Sequence, residues 1–226
     1  MADKFILLIP CAGSSVRFGG NIPKQYVTIA GKTILEHTLN VFIPLEQIHS
    51  ILLVSTINDP YINSYKNLSD KISIKKVGGK TRAETVLNGL NSLNCSDDDW
   101  ILVHDAARCC IKSEIIKKMI DELMFDEVGG ILAVGATDTI KKVDNGIITG
   151  TLKRGNIYLA QTPQMFRYGI LKKSLNNKQL TEFTDEASAV EKLGYLVKIV
   201  QSNTANIKVT YPIDLLFAEV LLSNKH

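Results

Sequence analysis

Six short runs of this chain, residues 5–10, 50–55, 73–77, 100–104, 130–134 and 195–200, read as β-strands, most of them apolar almost without a break. Successive side chains of a strand point to opposite faces of its sheet. A strand apolar at consecutive positions must therefore be covered on both sides, which is the habit of parallel sheets. Between these runs lie stretches of helical periodicity, 33–42, 61–68, 81–93, 113–124, 186–193 and 212–222. Thr33 and Ser113 stand where an N-cap oxygen can accept a bond from the first unpaired helical N–H groups. Strands and helices in alternation predict a doubly wound α/β sandwich around a mostly parallel sheet.

The totals narrow the function classes. A chain of 226 residues suits a single domain spanning 1–226, large enough to bury roughly 70% of its unfolded surface. A formal net charge of only +3 argues against a broad nucleic-acid-binding surface. No apolar run approaches the roughly 18 residues of a membrane span, so no membrane partner is expected. The apolar run at the N-terminus is only about six residues long, too short for a secretory h-region and suited to a first core strand. Cys11, Cys95, Cys109 and Cys110 form no C-x-x-C pair, which disfavours zinc and fits reduced thiols in a cytoplasmic protein.

One segment departs from the βα rhythm. Residues 138–156, DTIKKVDNGIITGTLKRGN, alternate polar and apolar around Asn145-Gly146, a hairpin signal. Ile140, Val143, Ile147 and Ile148 are too few for a core of their own. The segment is expected to be an arm that docks on a second subunit; an edge hairpin packed on its own chain is the alternative.

In a doubly wound sheet, ligands bind beyond the carboxyl ends of the strands, and four such places carry suitable residues. The loop IPCAGSSVRFGGNIPKQY combines small residues, which let backbone N–H groups approach phosphate oxygens, with Arg17 and Lys24, which can neutralise them. It is neither a Walker A loop nor a G-x-G-x-x-G dinucleotide fingerprint. LVHDAARCC places Asp105 at the end of the strand at 100–104, as a natural Mg2+ ligand or as a cap of the next turn. VGGKTRAETVLNGL puts Gly78-Gly79 ahead of a helix, offering amides and hydroxyls to a base or phosphate, or simply a glycine turn with a Thr cap. Lys208, in NIKVT, is either edge decoration or a cation aimed at a ligand. Together the four fit a nucleotide handled with Mg2+.

The opening loop resembles the sugar-nucleotidyltransferase signature A-A-G-x-G-x-R followed by P-K, here Cys11 to Arg17 and Pro23-Lys24. With PKQY, TILEH, GG-x-x-R-A-x-T-V, VHDAAR, DTIKK, QTPQ-x-F, TDEASA-x-E and NIKVT in order from about residue 5 to residue 222, the chain resembles the 2-C-methyl-D-erythritol 4-phosphate cytidylyltransferase family. The resemblance implies a Rossmann-like nucleotidyltransferase fold with a protruding β-hairpin arm. It also implies that CTP and methylerythritol 4-phosphate are converted, with Mg2+, to the CDP-linked alcohol and pyrophosphate. By the same resemblance, Arg17 and Lys24 hold the triphosphate, Asp105 ligates Mg2+ and Lys208 sits near the α-phosphate. Pro10, Cys11, Ala12 and Gly13, with Gly79 and Thr85, line the cytosine and ribose, and Ala106 and Arg108 flank the ribose. Thr139, Arg154, Thr162, Thr184 and Asp185 form the acceptor site, Thr139 and Arg154 reaching it from a partner subunit's arm in a homodimer.

Three positions differ from the family pattern: Cys11 replaces a common alanine, Ser15 a loop glycine, and Lys80 a frequent acidic residue. The alternatives are a cytidylyltransferase for another polyol phosphate, such as ribitol 5-phosphate, and a non-catalytic nucleotide-binding protein on the same scaffold.

Overall fold

A computed structural model of the chain describes residues 3–13, 18–19, 22–176 and 180–223. Its strands are β1 (Phe5–Pro10), β2 (Thr28–Ile29), β3 (Lys32–Thr33), β4 (Ile48–Val54), β5 (Ile72–Lys75), β6 (Trp100–Val103), β7 (Gly129–Gly135), β8 (Ile140–Asp144), β9 (Ile147–Leu152), β10 (Tyr158–Arg167) and β11 (Lys198–Gln201). Seven of them form one sheet in the order β11-β7-β10-β6-β1-β4-β5. All neighbours in it run parallel except β10, which is antiparallel to both β6 and β7. From β1 the chain steps outward to β4 and β5, then returns to place β6 on the other side of β1. The order therefore reverses between β1 and β6, where a doubly wound sheet opens a crevice.

The helices are α1 (Ile34–Phe42), α2 (Arg82–Asn91), α3 (Ser113–Leu123), α4 (Tyr168–Leu175), α5 (Glu186–Lys192) and α6 (Asp214–Ser223). Strand alternation sorts them onto two faces. Leu7 and Ile9 of β1 pack with Leu35, Leu39 and Phe42 of α1 and with Ile116, Met119 and Ile120 of α3. Ile6 and Leu8 face the other way, against Val86 and Leu90 of α2, Leu171 and Leu175 of α4, and Val190 of α5. A smaller cluster seats Ala218 and Leu222 of α6 on Cys109, Cys110 and Ile34.

All six expected strands are present, their bounds shifted by a few residues at most. The Oγ1 of Thr33 caps α1, accepting from Glu36 N–H at 3.1 Å. Ser113 does not cap α3: it is already the first helical residue, Lys112 holds the cap position without a side-chain bond, and the Ser113 hydroxyl turns to Glu114 instead. Residues 61–68 form a 3-10 helix, Ile62–Leu68, rather than an α-helix. Neither α4 nor β10 is marked by the sequence pattern, although β10 lies inside the sheet.

The hairpin β8–β9 is a two-stranded sheet of its own, not hydrogen-bonded to the central one. Asn145 and Gly146 both have positive φ, 47° and 81°, the backbone of the tight hairpin turn that Asn-Gly favours. Val143, Ile147, Ile148 and Leu152 are exposed along it.

Candidate active site

A cleft of about 470 Å³ opens over the carboxyl ends of β1 and β6, within the size range of small-molecule sites. Its lining includes Pro10, Cys11, Ala12, Gly13, Lys24, Gly79, Thr85, Asp105, Ala106 and Lys208. Residues nearly 200 positions apart in sequence thus meet in one space. Arg17, with Ser15, lies outside the described residues.

The first wall is the turn after β1. Cys11 N–H continues the strand's bonding to Val54 O at 2.7 Å, and Gln25 Nε2 holds Cys11 O at 2.8 Å. Burial pushes the Cys11 thiol well above its ordinary pKa, with the Asp59 charge acting the same way, so the thiol stays protonated. The second wall is the loop before α2. It lies so close to the first that a Cβ on Gly78 would fall 2.5 Å from Ala12 Cβ and 2.8 Å from Ser55 O. Only glycine admits that approach. Gly79 N–H donates to Thr85 Oγ1 at 3.1 Å, and the Thr85 hydroxyl donates to Thr81 O at 2.9 Å. Lys80 also lines this wall, its N–H donating to Glu84 Oε2 at 2.7 Å. Thr81 caps α2 through Glu84 N–H.

The floor is the turn after β6. Asp105 N–H donates to Thr162 Oγ1 at 3.0 Å, and Ala106 O accepts from Thr38 Oγ1 at 2.9 Å. Beneath it, fully buried His104 has its pKa pulled down to about 3 by loss of water. Its Nε2 faces the carbonyl of Arg108 and its Nδ1 faces Thr162 Oγ1. A neutral ring with its proton on Nε2 satisfies both, and the bonds then run from Asp105 N–H through the Thr162 hydroxyl to His104 Nδ1.

Asp105 is the one carboxylate among the lining residues, and cations surround it. Arg82 Nε lies 2.8 Å from Oδ1, Lys208 Nζ 2.7 Å from Oδ2, and Arg108 Nε 4.0 Å from Oδ2. Burial alone would raise its pKa, but Arg82 and Lys208 outweigh burial and hold the group well below the carboxylate range. Arg82 is clamped on its far side by Glu186, with Nη1–Oε1 at 2.6 Å and Nη2–Oε2 at 3.0 Å. Lys24 Nζ donates to Val209 O at 2.7 Å, fastening the first wall to the segment that carries Lys208.

The remaining expected residues stand outside the cleft lining. Arg108 braces the Lys208 segment through Nη1 to Asn206 O at 2.7 Å. Thr162 is buried beneath Asp105. Thr184 is exposed, and Asp185 caps α5, accepting from Ser188 N–H at 3.0 Å and from Gln164 Nε2 at 2.9 Å. Thr184 and Asp185 are the two residues before Glu186. Thr139 and Arg154 are exposed at the base of the arm, where Arg154 donates to Thr137 O. Arg82 and Glu186 lie within GG-x-x-R-A-x-T-V and TDEASA-x-E, and nothing in the sequence marks a role for either. They read only as a glutamate in the first turn of one helix and an arginine in the first turn of another, and only folding pairs them.

Among the described residues, no three His, Cys, Asp or Glu side chains gather as a protein-only metal cage. Mg2+ rarely uses one: it takes one or two carboxylates and completes its shell with phosphate oxygens and water. Asp105, alone on the floor of a cationic cleft, fits that pattern.

Fold and cleft define an α/β protein that handles a nucleotide. The sequence model for 2-C-methyl-D-erythritol 4-phosphate cytidylyltransferase matches residues 5–224. A protein of that name from Chromobacterium violaceum is 42% identical over 96% of this chain and 97% of its own length. Another, from Nitrosospira multiformis, is 44% identical over 98% and 99%. A crystal structure of 4-diphosphocytidyl-2C-methyl-D-erythritol synthase superposes with TM-score 0.87 at 40% identity, covering 98% of this chain and 99% of that one. The Francisella tularensis cytidylyltransferase structure gives 0.84 at 38%, covering 97% and 100%. The chain belongs to the 2-C-methyl-D-erythritol 4-phosphate cytidylyltransferase family.

Proposed function

We propose that the chain, as one nucleotidyltransferase domain over 1–226, transfers the cytidylyl group of CTP to 2-C-methyl-D-erythritol 4-phosphate in isoprenoid biosynthesis. An oxygen of the acceptor's phosphate attacks the α-phosphorus of CTP. The bond from that phosphorus to the bridging oxygen breaks, and pyrophosphate leaves with the electron pair. The nucleophile is already an anion, so no strong base is needed. The difficulty is bringing two anions together, and cation clamps with fixed positioning meet it.

Lys24 and Lys208, with Arg17, are assigned to the triphosphate and its developing charge. The backbone of 10–13 and 79–80, with Thr85 and Ala106, is assigned to base and ribose, and Arg108 supports the loop. Asp105 would hold Mg2+, which when bound neutralises phosphate oxygens. The observation that carries the reading is the meeting of Lys24, Asp105 and Lys208 in one cleft of a chain from this family.

The acceptor site is assigned to Thr162, Thr184 and Asp185, completed by Thr139 and Arg154 from the arm (138–156) of a second copy in a homodimer. The exposed apolar side chains of a hairpin without a core of its own support that assignment. We place the reaction in the cytoplasm, where reduced thiols such as buried Cys11, Cys109 and Cys110 persist.

The test is a panel of CTP, UTP, ATP and GTP against methylerythritol 4-phosphate and ribitol 5-phosphate, with and without Mg2+. Pyrophosphate release is expected with CTP, methylerythritol 4-phosphate and Mg2+ together. Preference for ribitol 5-phosphate, or CTP binding without any turnover, would overturn the reading.

A further inference from the structure

The two oxygens of Asp105 are held in different ways. Oδ1 meets Arg82, which is itself locked by two bonds to Glu186, a side chain only 1% exposed. Oδ2 meets Lys208, whose side chain is 37% exposed and rises from a segment that belongs to no helix or strand. The fixed side is a planar fork between two carboxylates. The loose side is a point charge on a flexible stem. Glu186, Arg82 and Asp105 together sum to one negative charge; Arg108, its Nε 4.0 Å from Oδ2, balances it at longer range, and Lys208 adds the nearest and most exposed cation, 2.7 Å from the same oxygen.

We propose that Lys208 is an exchangeable counter-ion. It holds the Asp105 oxygen that a divalent cation would take, and when metal and nucleotide enter together it yields that oxygen and turns to the phosphates. The inference rests on the assignment of Asp105 to Mg2+ made above. Exchange follows from charge: Arg82 and Arg108 stay beside the nearly buried carboxylate and keep it neutralised when the lysine leaves, and a lysine cannot share an oxygen with a dication without strong repulsion. Lys24, bonded to Val209 O, keeps the backbone beside Lys208 in place while the side chain moves. A metal arriving alone must displace the lysine and offers it nothing in return. A metal arriving with a triphosphate supplies new anionic partners, so the two ligands bind with positive coupling.

The experiment is Mn2+ binding to the full chain without nucleotide, read by electron paramagnetic resonance. It compares wild type, Lys208→Met, Lys208→Arg, Lys24→Met and the double variant Asp105→Asn/Lys208→Met. Lys208→Met should bind Mn2+ roughly tenfold more tightly than wild type, as removal of a contacting positive charge implies. Lys208→Arg should stay near wild type, Lys24→Met should gain clearly less than Lys208→Met, and the double variant should lose the gain. Unchanged affinity in Lys208→Met, an equal gain in Lys24→Met, or a gain that survives without Asp105 would overturn the proposal. Those outcomes leave the reaction itself standing, because the nucleotide and acceptor panel judges it separately.

Discussion

Arg82→Met is the perturbation whose cost the structure sets most clearly. The guanidinium joins the start of α2, the turn after β6 and the start of α5, reaching Asp105 at 2.8 Å and Glu186 at 2.6 Å. Methionine keeps much of the aliphatic length and removes the charge. Asp105 retains Lys208, whereas Glu186, at 1% exposure, loses both bonds that hold it. Stripping one partner from a buried pair costs about 3–5 kcal/mol, and the 27% exposure of Arg82 argues for about 3. For a chain of this length each kcal/mol moves Tm by roughly 2–4 °C, so a fall of about 6–12 °C is expected. Glu186→Gln should cost less, since the amide still accepts from Arg82. The double variant should be more stable than the sum of the singles predicts by about 1–2 kcal/mol. Urea unfolding of the four proteins, with the m-value checked for constancy, reads all of this. A loss below about 1 kcal/mol for Arg82→Met, with additive singles, would refute the claim that this cluster fastens the site.

Three further outcomes follow from the same geometry. Lys24→Ala and Arg17→Ala should each lower kcat by on the order of 100-fold, comparable with removal of one oxyanion donor; steady-state kinetics with unchanged turnover would remove the residue from the catalytic list. Arg154→Ala should raise KM for methylerythritol 4-phosphate and leave CTP affinity near normal, as titration calorimetry with CTP can check; collapse of CTP binding would contradict its place in the acceptor site. His104, at about 3 when folded and 6.5 as a free side chain, is protonated in the unfolded chain but not the folded one between those values. Stability should therefore rise with pH across that window, by up to about 1.4 kcal/mol per pH unit, and level off above it. Denaturant titrations from pH 4 to 7 that show no His104-dependent slope would contradict the buried neutral ring.

Much of the fold was legible because burial on both faces writes continuous apolar runs, as in FILLIP and WILV, and periodic caps mark α1. What was missed has physical causes. Strand β10 reads YLAQTPQMFR, with two glutamines and a proline where a central strand ought to be apolar and proline-free. Its register shifts between Ala160 and Gln164, so Pro163 falls within the irregularity, and Gln164 is satisfied by Ala187 N–H and Asp185. Helix α4 is short and carries Gly169 in its first turn, which weakens the periodic signal. The hairpin was legible from Asn145-Gly146 between runs of alternating polar and apolar residues. At the site, single cations near glycines could be proposed from sequence, but the Glu186–Arg82–Asp105–Lys208 chain could not. It joins four segments; Asp105 and Lys208 stand out in the sequence as candidate ligands, but Arg82 and Glu186 look like ordinary surface charges until folding pairs them and buries Glu186.

The most direct measurement is a crystal structure of the chain with CTP and Mg2+. The triphosphate should lie in the cleft between Lys24 and Lys208, with the metal on Asp105 and the cytosine against residues 10–13 and 79–80. CTP bound elsewhere, or seated with its phosphates turned away from these three side chains, would contradict the account.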